Sequence, residues 1–436
     1  MNEVMIDRNA NSFRFVATGD SFITRKMSNK DYDKQLADLI GSAEFRFTNL
    51  ETTLHRNEGY PSALSGGTWA MSDPDVLNDL LKYQFNCMTW ANNHTLDYLY
   101  GGLIATKKHL DEANITHAGV GENLASASSP AYLESDSGRI AIIGATSTFH
   151  DFWRAGEQRS DMLGRPGVNP LRYQTTYYVL PEHYNVLKDI ADKSGINAEN
   201  NLAIEEGFLS SNQVFRFGTY SFSVCEKIGM VREPYSEDVK RIVKSIHEGK
   251  RQADYVVVSI HCHEMNKDRK DQVPDFLETF ARICIDEGAH AVIGHGPHIL
   301  RGVEIYKNRP IFYSLGNFIF QNETVQKLPN DFYEGYQLPL TATVADALDK
   351  RSNNGTKGLG VNRAVWESVV PIWEMKAGTL TSLKFYPIEL GYGLPRYSRG
   401  WPIITKNEEI LKGLEELSEP YGTNFIIKDG IAEVIL

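Results

Sequence analysis

Short strand-like apolar runs recur along this chain, and small and polar residues follow each one at once. Phe13–Thr18 leads into Gly19 and Asp20, Phe45–Thr48 into Asn49 and Glu51, and Phe85–Trp90 into Asn92, Asn93 and His94. Farther on, Tyr255–Ile260 leads into His261, His290–Ile293 into Gly294, His295 and His298, and Ile311–Leu315 into Gly316 and Asn317. Between these runs the apolar period lengthens to three and four residues. Phe276, Leu277, Phe280, Ile283 and Cys284 share one face of a helix predicted over Pro274–Glu287, with Gly288 as its stop. Leu99–Ala113, Asp73–Lys82 and Tyr235–Gly249 read in the same way. Alternating strands and helices predict an α/β fold, in which ligands bind beyond the carboxyl ends of the strands. Because all of these strand-like runs deliver polar residues to such an end, one convergent site is expected.

Two stretches break the rhythm. Residues 151–250 are rich in Tyr, Arg and Glu and contain the turn-like Gly164-Arg165-Pro166-Gly167, which predicts an insertion or cap over the site. Residues 326–436 carry β-like runs at Ser382–Pro387, Asn424–Ile427 and Ile431–Leu436, and are expected to complete the sheets. The predicted organisation is therefore a main unit over 1–325, with 151–250 inserted in it, and a C-terminal extension over 326–436.

Composition narrows the function classes. Of 436 residues, 42% are hydrophobic and 23% charged, the profile of a globular protein able to bury a polar cluster. The net charge of −11 argues against a non-specific grip on nucleic acid or anionic membrane. No run approaches the roughly 18–20 apolar residues that span a bilayer, and Met1–Asn11 shows no signal-peptide pattern, so membrane insertion is not expected and a cytoplasmic location is. Cys87, Cys225, Cys262 and Cys284 form no C-x-x-C pair and predict no disulfide framework.

The candidate chemistry lies at the strand ends. In Gly294-His295-Gly296-Pro297-His298 a tight turn can aim two imidazoles at one metal ion. His261 emerges first from the most apolar strand, with His263 and Glu264 placed to touch substrate or support the ligands. Asp20 and Glu51 are hard oxygen donors, and a carboxylate shared by two ions fixes their separation. In Ala91-Asn92-Asn93-His94-Thr95-Leu96-Asp97, Asn93 offers an amide oxygen, His94 a proton for a leaving group, and Asp97 a carboxylate to orient that imidazole. Taken singly, each of these residues also fits an ordinary turn, cap or surface position. Together, two carboxylates, an asparagine and three histidines match the donor set of a two-metal hydrolytic site. The other histidines, His55, His109, His117, His150, His183, His247 and His290, are expected to be structural or on the surface.

These motifs resemble the CapA proteins, named for poly-γ-glutamate capsule synthesis, which share the calcineurin-like metallophosphoesterase fold. Gly19-Asp20, Asn49-Leu50-Glu51, Ala91–Asp97, Gly294–His298 and Tyr313–Phe318 carry the likeness, over roughly residues 13–325. The resemblance implies a four-layer α-β-β-α sandwich with the site between two sheets. It implies that Asp20 and His298 hold a first divalent ion, that Asn93, His261 and His295 hold a second, that Glu51 bridges them, and that His94 is the general acid. Asn92 and Asn317 would support the ligands or contact substrate. The mixed O and N donors point to Mn, Fe or Zn, as one or two ions.

There are departures from the family pattern. Phe22 stands where metallophosphoesterases carry a histidine, Glu51 replaces an aspartate, one extra residue separates His295 from His298, and His261-Cys262-His263-Glu264 replaces the H-W-G-x-E of CapA proteins. They predict a weakened first metal position. The expected function is a metal-dependent hydrolase acting on an anionic small molecule or polymer, of the γ-glutamyl amide type. Phosphomonoester or phosphodiester hydrolysis, and non-catalytic polymer binding in capsule synthesis, are the competing readings.

Overall fold

The computed structural model describes residues 12–211 and 214–436. The stretch Met1–Asn11, read above for a signal peptide, lies outside them. Two large sheets dominate. A ten-stranded sheet is centred on the parallel strands Phe13–Phe22, Phe45–Leu50, Cys87–Thr89 and Thr116–Ala118. The C-terminal strand Glu367–Lys376 pairs antiparallel with Phe13–Phe22, followed by Thr379–Glu389 and the hairpin Phe425–Lys428 and Ile431–Val434. A six-stranded sheet holds Gly138–Thr146, Tyr255–His261, Ala291–His295 and Arg309–Leu315 in parallel, with Ala131–Ser135 and Leu300–Tyr306 antiparallel at its edges.

Period-two alternation packs the two sheets face to face. Phe13, Phe15 and Ala17 of one sheet share an apolar layer with Ile140, Ile142, Val257 and Ile293 of the other. The intervening residues point outward. Val16 and Met88 meet Leu36, Leu80 and Leu103 from the helices Lys34–Gly41, Leu77–Lys82 and Leu99–Glu112. Ala141, Ile143, Val256 and Val258 meet Ile242 and Ile246 of the helix Ser236–Gln252, and Phe276, Phe280 and Cys284 of the helix Asp275–Asp286. Parallel strands buried on both faces read as continuous apolar runs, which is why Tyr255–His261 is buried throughout.

The chain between the central strands and the helix Ser236–Gln252 builds a separate four-stranded sheet from Tyr173–Val179, Phe215–Phe217, Tyr220–Val224 and Gly229–Pro234. Two helices, Pro181–Ser194 and Ala198–Glu205, accompany it. Among the described residues no helix is long and apolar enough to cross a membrane.

Candidate metal centre

Strand register brings the polar residues together. Asp20 lies opposite Asn49 on one neighbouring strand and Asn317 on the other. His261 lies directly opposite His295. Both runs end at the carboxyl edge, so donors from the two sheets face one another across the apolar layer. The chain must pass very close at Gly19, where a Cβ would stand 1.9 Å from the Gly316 carbonyl oxygen. The turn after His295 puts Gly296 at φ 121° and aims its N–H at Asp20 Oδ2, 2.9 Å away. His298 itself takes φ 59°, a left-handed conformation that costs energy for a non-glycine and that the surrounding turn imposes.

Three groups of donor atoms result, each with its atoms within 4.8 Å of one another: Asp20, His261 and His295; Glu51, His261 and His263; and Asp20, Glu51 and His298. Asp20 and Glu51 each belong to two groups, so the carboxylates tie the cluster together. His261 Nε2 also lies 2.8 Å from Asn93 Oδ1, and its Nδ1 2.9 Å from His295 Nδ1. Asn49 Nδ2 donates to Asp20 Oδ1 over 2.8 Å. Ser259 Oγ holds the outer nitrogen of His295 at 2.7 Å, and Asn317 Oδ1 holds His298 Nδ1 at 2.9 Å, so both rings are oriented by neighbours.

The electrostatics fit a cation. Asp20, Glu51, His261 and His295 are each fully buried. Both Glu51 carboxylate oxygens and His263 Nε2 are buried without a hydrogen-bond partner. Burial pushes the Asp20 carboxyl up to about 7, against the hydrogen bonds from Asn49 and Gly296. It raises Glu51 well above its ordinary value, reinforced by the negative charges of Asp20 and Asp97 and eased by Lys270. Burial also holds His295 and His298 down at about 3, which leaves their imidazoles neutral and able to ligate. Buried carboxylates short of positive charge beside neutral imidazoles form a set that a divalent ion completes.

His94 and Asp97 stand beside this cluster. His94 Nδ1 lies 2.7 Å from Asp97 Oδ2, and Asp97 also accepts from the backbone N–H of Ala70 at 2.7 Å. The Nε2 of His94 is therefore the nitrogen available to the cleft that His94 lines. Phe22 packs its ring edge-on against His94 at 5.1 Å and so buttresses that imidazole. Asn92 accepts from the His94 N–H and donates to the Leu50 carbonyl, tying the loop to the strand end. Glu264 joins none of the three donor groups and accepts from Ser147 and Thr148.

Some neighbours carry no signal in the sequence. His150 and Trp153 line an opening on the Asn93 and His263 side. Lys270 stands near enough to Glu51 to offset part of its rise. The fully buried Arg301 donates to the carbonyls of Cys262, Glu264 and Lys270, and so clamps the loop that carries His263. No local pattern marks these residues, because they reach the site from separate loops and, for Arg301, from the edge strand Leu300–Tyr306.

Comparison with known proteins places these features in context. A family model described as "Bacterial capsule synthesis protein PGA_cap" matches residues 11–322. The Sinorhizobium fredii protein y4sH, which is uncharacterized, is 34% identical over 97% of this chain and 93% of its own length. Capsule biosynthesis protein CapA of Bacillus anthracis is 28% identical over 54% of this chain and 40% of its own length. Among solved structures, a hypothetical protein from Thermus thermophilus aligns at a TM-score of 0.38 and 11% identity, over 86% of this chain and 99% of that one.

Proposed function

This chain belongs to the PGA_cap family of bacterial capsule synthesis proteins, and on that premise we propose that it is a metal-dependent hydrolase acting on an anionic γ-glutamyl amide. The observation that carries the reading is Glu51, fully buried, with neither carboxylate oxygen hydrogen-bonded and with His261, His263 and His298 within 3.7 Å of it. A structural carboxylate in such a place would have found donors. One or two ions of Mn, Fe or Zn suit the donor set. Asp20, Glu51 and His298 would hold one ion, and His261, His295 and Asn93 the other. When bound, such ions polarise a substrate oxygen and make water a stronger nucleophile.

The protein groups divide the remaining roles. Asp97 accepts the His94 Nδ1–H and orients the ring, so that in the protonated imidazolium the Nε2–H faces the cleft. A proton held there protonates the departing amine as the amide bond breaks. Asn49 and the Gly296 N–H keep Asp20 in one orientation. The two-sheet arrangement with helices outside corresponds, in this reading, to the metallophosphoesterase sandwich. Residues 1–325 would form its main part, the small sheet over 173–234 a cap, and 326–436 an extension that widens one sheet.

The test is metal analysis followed by turnover assays on γ-glutamyl peptides and on phosphoesters. We expect at least one ion per chain and turnover of the peptides. His94→Ala should keep its metal and slow turnover by roughly 10²–10⁴-fold, the usual contribution of a positioned proton donor. His295→Ala should lose metal and activity together. If the protein holds no metal after reconstitution, or if His94→Ala releases metal as readily as His295→Ala, the assignment fails. Turnover of phosphoesters alone would move the reading to a phosphoesterase.

A further inference from the structure

A cavity of ≈ 200 Å³ opens beside the cluster; its lining joins His94 and His298 to a second wall of Glu323, Arg351, Lys357, Gly358 and Gly360. The second wall comes from chain beyond residue 322, where the match to the family model ends. It is therefore a feature of the C-terminal part of this protein rather than of the shared motifs.

Arg351 sits in the last turn of the helix Val344–Ser352, where a basic side chain suits the exposed carbonyls. Its guanidinium is drawn elsewhere. It donates to Thr68 Oγ1, on the loop whose Gly66 carbonyl accepts from Asn93, and it lies 5.7 Å over the Phe332 ring. Neither Arg351 nor Lys357 forms an ion pair among the described residues. The nearby arginines do: Arg396 pairs with Asp349 and Arg399 with Glu323. Burial pulls the Arg351 guanidinium below its ordinary value, against the smaller opposing effects of Tyr336 and Glu323. The rim is open, since Gly67 and Gly358 have nothing within 4 Å of where a Cβ would stand. In a protein of net charge −11, two unpaired cations in one cleft are an exception to the surrounding field.

We propose that Arg351 and Lys357 form a subsite for an oxyanion of the substrate, held next to the bond that reacts at His94. The planar fork of Arg351 suits a carboxylate or a phosphate in two-point contact, and Lys357 at the exposed rim adds a mobile charge. Specificity would then favour a chain with a free acid group close to the scissile bond. The position of that bond rests on the hydrolase reading above; the binding of the oxyanion does not.

The experiment is calorimetric titration of the metal-loaded full chain with γ-linked triglutamate, with the same peptide carrying amidated carboxyls, and with inorganic phosphate. It is repeated on Arg351→Gln, Arg351→Lys and Lys357→Gln, the last at an exposed position that cannot disturb the fold. A charged hydrogen bond lost from a binding site weakens affinity by roughly 10–100-fold. We expect that loss in Arg351→Gln, a smaller one in Lys357→Gln, partial recovery in Arg351→Lys, and unchanged metal content and melting temperature. The amidated peptide should bind weakly and equally to all four proteins. Whether peptide or phosphate shows the Arg351-dependent binding identifies which oxyanion the subsite takes. Equal affinities for both probes across wild type, Arg351→Gln and Lys357→Gln would overturn the proposal, as would no binding of either probe to wild type. Arg351-dependent binding without turnover would sink the hydrolase reading and keep the subsite. Turnover with KM unmoved in both glutamine variants would do the reverse.

Discussion

At the scale of single residues, Glu51 shows the tension between stability and function. A buried carboxylate with no hydrogen-bond partner costs free energy in the metal-free protein, and nothing in the fold except the cluster explains it. Glu51→Gln removes the charge while keeping the shape. The variant should lose metal affinity, yet its metal-free form should be more stable than metal-free wild type by about 1–3 kcal/mol. Thermal melting of both chelated proteins checks this, and a less stable chelated variant would show that Glu51 serves the fold. His263 raises a second question at this scale. By the family pattern Phe22 would cost the first metal position one imidazole besides His298, and His263 Nε2 lies 3.7 Å from Glu51 Oε1 with no hydrogen-bond partner. Metal titration should show one tight and one looser position, with His263→Ala weakening only the looser. Two equally tight positions, both indifferent to His263→Ala, would mean that neither residue shapes the affinity.

At the scale of elements, the helix Ser236–Gln252 shows how the chain of the small sheet is fastened to the six-stranded one. Asp238, in its first turn, has a fully buried side chain and accepts from Arg172 at 2.7 Å and from Arg241 at 2.5 Å. Burial alone would raise this carboxyl, but the two arginines outweigh it and hold it below its ordinary value of 3.8. A depressed folded-state pKa gives stability that is whole above the unfolded value and lost as pH falls through the folded one. Asp238→Asn should therefore cost roughly 3 kcal/mol near neutral pH, because two arginines lose their buried partner. That difference should be flat down to about pH 4 and shrink below it. Denaturant midpoints of wild type and variant across pH 3–7 test the sign; a difference that grows on acidification would refute it.

At the scale of the whole molecule, the candidate centre joins the two large sheets. Asp20, Glu51 and Asn93 come from the ten-stranded sheet and the loops that follow its strands, and His261, His295 and His298 from the six-stranded one. An ion bound there would act as a cross-link between layers that otherwise meet through apolar side chains and a few hydrogen bonds such as Thr89 to Ser259. Chelation should lower the melting temperature, and added metal at 100 times its Kd should restore about 2.7 kcal/mol. A melting temperature indifferent to metal would show that the ion does not bridge the layers. The sequence by itself determined which strands exist and what each delivers, because apolar periodicity and the residue after a strand are local properties. Tyr255–Ile260 followed by His261, and Phe13–Thr18 followed by Gly19 and Asp20, are readable one segment at a time. It also determined the α/β class and, through its ordered motifs, the family. Only the tertiary structure decided the pairing of His261 with His295, the seat of Asp20 between Asn49 and Asn317, and the approach of His263 to Glu51. Strand register and the facing of two sheets arise from contacts between residues tens to hundreds of positions apart, which no local pattern encodes. The same holds for Arg351, by sequence one charged residue among many. Its place beside His94 exists only because the C-terminal chain folds back over the cleft.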